Sequence, residues 1–204
     1  DACLAAARAL SRRRHRAAGE WAERLTREMR PLGLPHAALR FAVDSDGQGE
    51  PTLGPRGLDR VEMLFTANPG EPERPLSRIA SGGELSRVAL ALKAALEEQD
   101  PVDVLLFDEV DAGIGGTAAQ AVGERLSRLA RHRQVICVTH LPMIAARAGH
   151  HLRVSKSVGG GRTVARIEPV AGRERVEELA RMLAGARVTE TTRRQARELL
   201  EADA

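Results

Sequence analysis

Two short apolar runs in this chain end in groups that can do chemistry. Val104-Leu105-Leu106-Phe107 runs into Asp108-Glu109, and Val135-Ile136-Cys137-Val138-Thr139 runs into His140. A carboxylate directly after an apolar strand suits a Mg²⁺ ligand, direct or through water. A neighbouring carboxylate, Glu109, suits a general base for water. An imidazole at the next strand tip can donate to a phosphoryl oxygen. Taken singly, each has a plainer account: Asp108 and Glu109 cap the next loop, and His140 opens a turn before Pro142. Taken together with the stretch Ser81-Gly82-Gly83-Glu84 at the mouth of a helix, they point to phosphate chemistry.

That stretch supports two readings. Ser81 with Glu84 three residues on is a capping box, each side chain satisfying an orphan backbone N–H. Capping does not explain Gly82 and Gly83, because ordinary helix formers there would avoid the glycine penalty. Two glycines bare the N–H groups at the positive end of the helix, which suits close approach of a phosphate.

The elements that must position these groups follow from periodicity. Leu85, Val88, Ala89, Leu92 and Leu96 recur on one helix face, and Pro101 ends that helix. Val102–Phe107 and Gln134–Thr139 read as strands buried on both faces. A helix over Thr117–Ala130 joins them, with Ala118, Ala121, Val122, Leu126 and Leu129 on one side. Strand, helix, strand is a βαβ unit, and ligands in parallel sheets sit outside the carboxyl ends of the strands. Upstream, Asp1–Arg30 reads as a helix with a stripe of Ala18, Trp21, Leu25 and Met29, ended by Pro31 and Gly33. It starts with no cap and no Met, as expected of a longer helix or coiled-coil arm cut at a fragment boundary. Leu39–Val43 and Val61–Ala67 are strands, separated by a polar loop over Asp44–Gly57; Asn68–Pro72 is irregular. His151–Ser155 and Thr163–Val170 flank Gly159-Gly160-Gly161 as a hairpin, and helices over Arg173–Ala184 and Thr191–Glu201 finish the chain.

Composition narrows the classes. With 204 residues, 43% apolar and 29% charged, the chain is an ordinary globular sequence of one or two domains. No apolar run approaches the roughly 20 residues of a membrane span. Cys3 and Cys137 read as free thiols of a reducing compartment, and Cys137 with His140 lacks the second pair that a zinc site needs. The net charge is +3, and Lys93 and Lys156 are the only lysines. Arg8, Arg12, Arg13, Arg14 and Arg16 cluster in the first helix. A solvated helix face is the simpler reading of such a cluster, and a DNA contact the other. Aromatics are 2%, too few for stacking-based recognition of single strands.

The motifs resemble a known family. Ala80 to Arg87, ASGGELSR, is similar to the signature motif of ABC-type ATPases, with Glu84 where many transporters carry Gln; VLLFDE resembles Walker B with its catalytic Glu; VTH resembles the switch-histidine motif. The branch is the SMC-like one. Within it, GLDRVEMLFTANPGEP, IASGGELSRVALALK, LLFDEVDAGIGG and VICVTHLPMIAA resemble segments of the RecN family of DNA repair proteins, in the same order, over Leu32 to Gly185.

The resemblance implies an α/β fold: the C-terminal lobe of an ABC/SMC-type P-loop NTPase head, a mostly parallel sheet with flanking helices, over 31–204. A helical or coiled-coil arm segment over 1–30 precedes it. It implies ATP and Mg²⁺ as cofactors. Ser81, Gly82, Gly83 and Glu84 would face the γ-phosphate held by the opposing protomer. Asp108 would hold Mg²⁺ through water, Glu109 would polarise the attacking water and His140 would sense the γ-phosphate. It further implies double-strand break repair, homodimerisation through heads, double-stranded DNA as partner, no membrane, and a cytoplasmic, nucleoid-associated location.

Two departures qualify the pattern. Transporter-type heads place an Asp six residues past the catalytic Glu, where this chain has Gly115, so Asp111 is the nearest substitute in that loop. No G-x-x-x-x-G-K-[ST] occurs, so the phosphate cradle and its Lys are missing. Gly159 to Gly161 lacks the Lys-Ser/Thr ending and reads as a linker. The family carries its P-loop in an N-terminal lobe, which makes that lobe a partner and leaves this chain inactive alone. Other readings are the same lobe of another SMC-like recombination ATPase, or a non-catalytic interaction module. The GLDRVEMLFTANPGEP segment argues against the first of these, and intact Ser81, Glu109 and His140 against the second.

Overall fold

The computed structural model describes residues 1–45, 53–79, 81–96, 100–159, 162–185 and 187–202. The centre of the Asp44–Gly57 loop, Ala80 of the signature stretch, residues 97–99, which the periodicity assigned to the helix before Pro101, and Gly160-Gly161 lie outside them. The chain divides into two compact units, Asp1–Pro101 and Val102–Ala204.

In the first unit, helix α1 (Ala2–Met29) is followed by a short 3-10 turn, Arg30–Leu32, and Gly33 closes it in the left-handed region at φ 81°. That conformation suits glycine, which has no Cβ to clash. Strands β1 (Ala38–Ser45), β2 (Asp59–Thr66) and β3 (Arg74–Pro75) form an antiparallel sheet in that order, with Leu39 opposite Phe65. The two-residue edge strand β3 carries Pro75, tolerable there because an edge strand need not donate on its outer side. Helix α2 (Gly82–Ala95) completes the unit. Leu25, Met29 and Leu32 are among its fully buried side chains, and each such Leu or Met contributes about 1.5–3 kcal/mol.

Two expectations need correction here. The buried residues of α2 include Arg87, Val88, Leu90, Ala91 and Ala95, whereas Leu85 is 41% exposed. The helix is apolar on more than one side, so spacing alone chose the wrong line. Arg14 also leaves the exposed basic cluster: its guanidinium bonds the buried Asp59 carboxylate at 3.0 Å. Arg8, Arg12, Arg13 and Arg16 are exposed.

In the second unit, β4 (Val104–Phe107) and β5 (Gln134–Cys137) pair in parallel, Phe107 opposite Cys137. Helix α3 (Gly116–Leu129) connects them, and the short helix α4 (Pro142–Ala145) follows β5. Strands β6 (His151–Gly159) and β7 (Arg162–Val170) form the expected hairpin, longer than its apolar pattern suggested. Helices α5 (Gly172–Ala184) and α6 (Glu190–Glu201) close the chain, α6 behind a capping box of Thr189 and Thr192. The core holds Leu105, Phe107, Val110, Ala119, Val122 and Leu126. A second cluster joins Ala145 and Ala146 to Leu179, Ala180 and Ala196.

The expectation that β4 and β5 are buried on both faces fails. Leu105 and Phe107 are buried, but Val104, Leu106, Ile136 and Val138 are 51%, 67%, 45% and 56% exposed. A continuous apolar run predicts two covered faces. Here only one face is covered.

Candidate functional site

The parallel register of β4 and β5 brings their carboxyl ends to one edge. The Val138 N–H donates to the Phe107 carbonyl at 2.9 Å, so pairing continues to the last residue before Asp108. Asp108 and Glu109 follow on an exposed turn. An Asp108 carboxylate oxygen accepts the Glu109 N–H at 2.9 Å, and the Glu109 carbonyl accepts the Ala112 N–H at 3.0 Å. Glu109 sits at φ 55°, the one non-glycine residue at positive φ among those described. Such a conformation costs about 1–3 kcal/mol and clusters at functional sites.

Across the strand pair, Thr139 and His140 extend the tip of β5. The buried Asp111 carboxylate accepts the Thr139 hydroxyl at 2.5 Å and the His140 N–H at 2.9 Å. His140 Nδ1 lies 3.0 Å from the same oxygen. The Asp111 carboxylate, the nearest substitute for the missing loop Asp, is thus engaged at the tip of β5. Sequence spacing missed this contact, because Asp111 and Thr139 are 28 residues apart. It also missed Arg175 of α5, whose guanidinium donates to the carbonyls of Ala145, Ala146 and Ala148 at 3.3, 2.8 and 2.6 Å. Those bonds satisfy the end of α4, the helix directly after His140.

In the first unit, Ser81 caps α2: its hydroxyl accepts the Glu84 N–H at 3.3 Å, one half of the expected capping box. Ser81 and Gly82 are exposed and Gly83 is buried. The site residues therefore fall into two groups, Ser81–Glu84 in one unit and Asp108, Glu109, Asp111 and His140 in the other.

Among the described residues no three His, Cys, Asp or Glu side chains converge on a metal position. Mg²⁺ needs no such cage, since it keeps several waters and takes one or two carboxylates plus substrate phosphates. Adjacent exposed carboxylates at a strand tip fit that donor set. Nor is any described helix long and apolar enough to cross a membrane.

No protein-family model matches the chain. Among solved structures it is similar to the Smc head domain with a coiled coil and joint from Pyrococcus yayanosii, with TM-score 0.54 and 22% identity over 78% of this chain and 28% of that one. A chain solved under the heading of ATP-driven dimerization and DNA-stimulated activation of SMC ATPases gives TM-score 0.50 and 18% identity, over 87% of this chain and 99% of that one. The fold is therefore that of an SMC-type ATPase head, in the α/β class. In sequence, the chain is RecN-like and matches the C-terminal part of the DNA repair protein RecN. It is 48% identical to RecN of Streptomyces coelicolor over 96% of this chain and 36% of that protein. Against RecN of Deinococcus radiodurans the figures are 50%, 97% and 34%. The chain thus spans about a third of the length of these relatives.

Proposed function

We propose that this chain is the C-terminal lobe of an ATP-hydrolysing, SMC-like DNA repair protein, holding half of a composite ATP site. The observation that carries the reading is the parallel β4–β5 pair, which delivers Asp108, Glu109 and His140 to one sheet edge. Asp108 would hold Mg²⁺ through water, in keeping with its place directly after β4. When bound, Mg²⁺ would neutralise charge developing on the transferred phosphoryl group. Glu109, exposed on a constrained turn, orients and deprotonates the attacking water. His140, at the tip of β5, contacts the γ-phosphate. Ser81, Gly82 and Gly83 offer the N-terminal end of α2 to the nucleotide of an opposing head, and Glu84 supports that turn. Catalysis of this kind is positioning and charge stabilisation.

The same reading supplies the partners: an N-terminal lobe carrying the P-loop, a second head, and linear double-stranded DNA, in the cytoplasm at the nucleoid. Likeness to RecN supports repair of double-strand breaks as the setting. The exposed apolar face of β4 and β5 supports a missing neighbour. The test is Glu109→Gln in the complete protein. Loss of the general base lowers ATP turnover by about 10²–10⁴-fold while ATP still binds. Undiminished turnover would show that Glu109 is not the base.

A further inference from the structure

Asp111 has no part in the chemistry above, yet it is buried and its carboxylate touches three groups at the tip of the neighbouring strand. We infer that Asp111 is a positioning residue that fixes both the backbone and the ring tautomer of His140, tying the turn that carries Glu109 to the phosphate-facing histidine. This rests on the proposed role of His140.

A buried carboxylate is costly unless it is hydrogen-bonded. Asp111 meets that cost with partners from one place: the Thr139 hydroxyl at 2.5 Å, the His140 N–H at 2.9 Å, and His140 Nδ1 at 3.0 Å. Thr139 is itself held, its hydroxyl oxygen accepting the Leu141 N–H at 3.0 Å. On the other side, the Asp111 carbonyl accepts the Ile114 N–H at 3.4 Å, and the Glu109 carbonyl the Ala112 N–H at 3.0 Å. Asp111 and Glu109 are thus parts of one hydrogen-bonded turn, and Asp111 joins it to β5.

The ring consequence follows. The His140 side chain is 72% exposed and that of Asp111 6%, so one ring nitrogen lies against the protein. The partner of one ring nitrogen decides which tautomer is present. A carboxylate beside Nδ1 keeps the proton there and leaves Nε2 to the ligand. In the neutral ring Nε2 then only accepts; it donates to a phosphoryl oxygen in the ring that carries both protons, where Nδ1–H keeps the same carboxylate partner.

The test is ¹⁵N-edited NMR of the histidine rings of this 204-residue chain, with His140 assigned by its loss in His140→Gln. The wild-type ring is expected as the Nδ1–H tautomer, shifting toward Nε2–H in Asp111→Asn. A wild-type ring in the Nε2–H form, or a ring indifferent to Asp111→Asn, overturns the assignment. Thr139→Val serves where Asp111→Asn does not fold. It removes one donor, moves the His140 amide resonance and leaves the ring Nδ1–H; an unmoved amide and an Nε2–H ring contradict the proposal. In the complete protein, Asp111→Asn lowers kcat by about 10–100-fold with little change in KM for ATP, as loss of an orienting partner does. Unchanged kcat overturns the catalytic consequence. Failure of the Glu109→Gln test would instead strike the ATPase reading and leave the ring result standing.

Discussion

Cys137 separates geometry from reactivity at the strand tips. It lies beside the site, three residues before His140, and its thiol is pushed up to about 12 by burial, then by the Asp111 and Asp108 carboxylates. A thiol raised that far stays protonated through the neutral range, and the thiolate is the reactive form. At pH 8 a thiol reagent is expected to label exposed Cys3 and to spare Cys137 until the chain is unfolded. Equal labelling of both would contradict this environment. Asp108, Glu109 and His140 were legible in the sequence because each ends an apolar run, and a run that ends a strand ends at the sheet edge. Asp111 was not legible as their link, because its partners lie on another strand and nothing local marks the pairing.

At the scale of elements, β1, β2, the hairpin and the helices were readable from period and punctuation, Pro31 and Gly33 included, whereas α2 ends at Ala95, ahead of the expected stop at Pro101. What escaped was orientation. The buried line of α2 was misplaced because its apolar residues wrap most of the helix, and a spacing rule needs a polar face to choose against. The tie of α1 to the start of β2 was hidden too, because Arg14 looked like one of five surface arginines. Burial pushes the Asp59 carboxyl up, but Ser11 and the Arg14 guanidinium outweigh it and hold the carboxyl below the usual carboxylate range. A depressed folded-state value means stability that is present above the unfolded value of about 3.9 and lost as pH falls through the folded one. Arg14→Ala is therefore expected to cost about 1–3 kcal/mol at neutral pH, by leaving a buried carboxylate without its charged partner. That penalty shrinks in acid, where Asp59 protonates. Urea unfolding at pH 7 and pH 3 checks both; an equal penalty at both values would contradict the pairing.

For the whole molecule, the candidate residues are divided between the two units, the signature-like turn in one and the strand-tip carboxylates and histidine in the other, and the sequence holds no G-x-x-x-x-G-K-[ST] phosphate loop. The α/β class was legible from the β-α-β order around Asp108 and His140. The open face of β4 and β5 was not, because an apolar run looks the same whether its second cover lies in the same chain or elsewhere. The most direct measurement is steady-state ATP hydrolysis by this chain alone, then mixed with the complementary P-loop-bearing lobe, with and without linear double-stranded DNA. The half-site account predicts no turnover by the chain alone and turnover on mixing. Turnover by the isolated chain that disappears in Glu109→Gln would contradict it, since the chain would then hold a complete phosphate-binding site of its own.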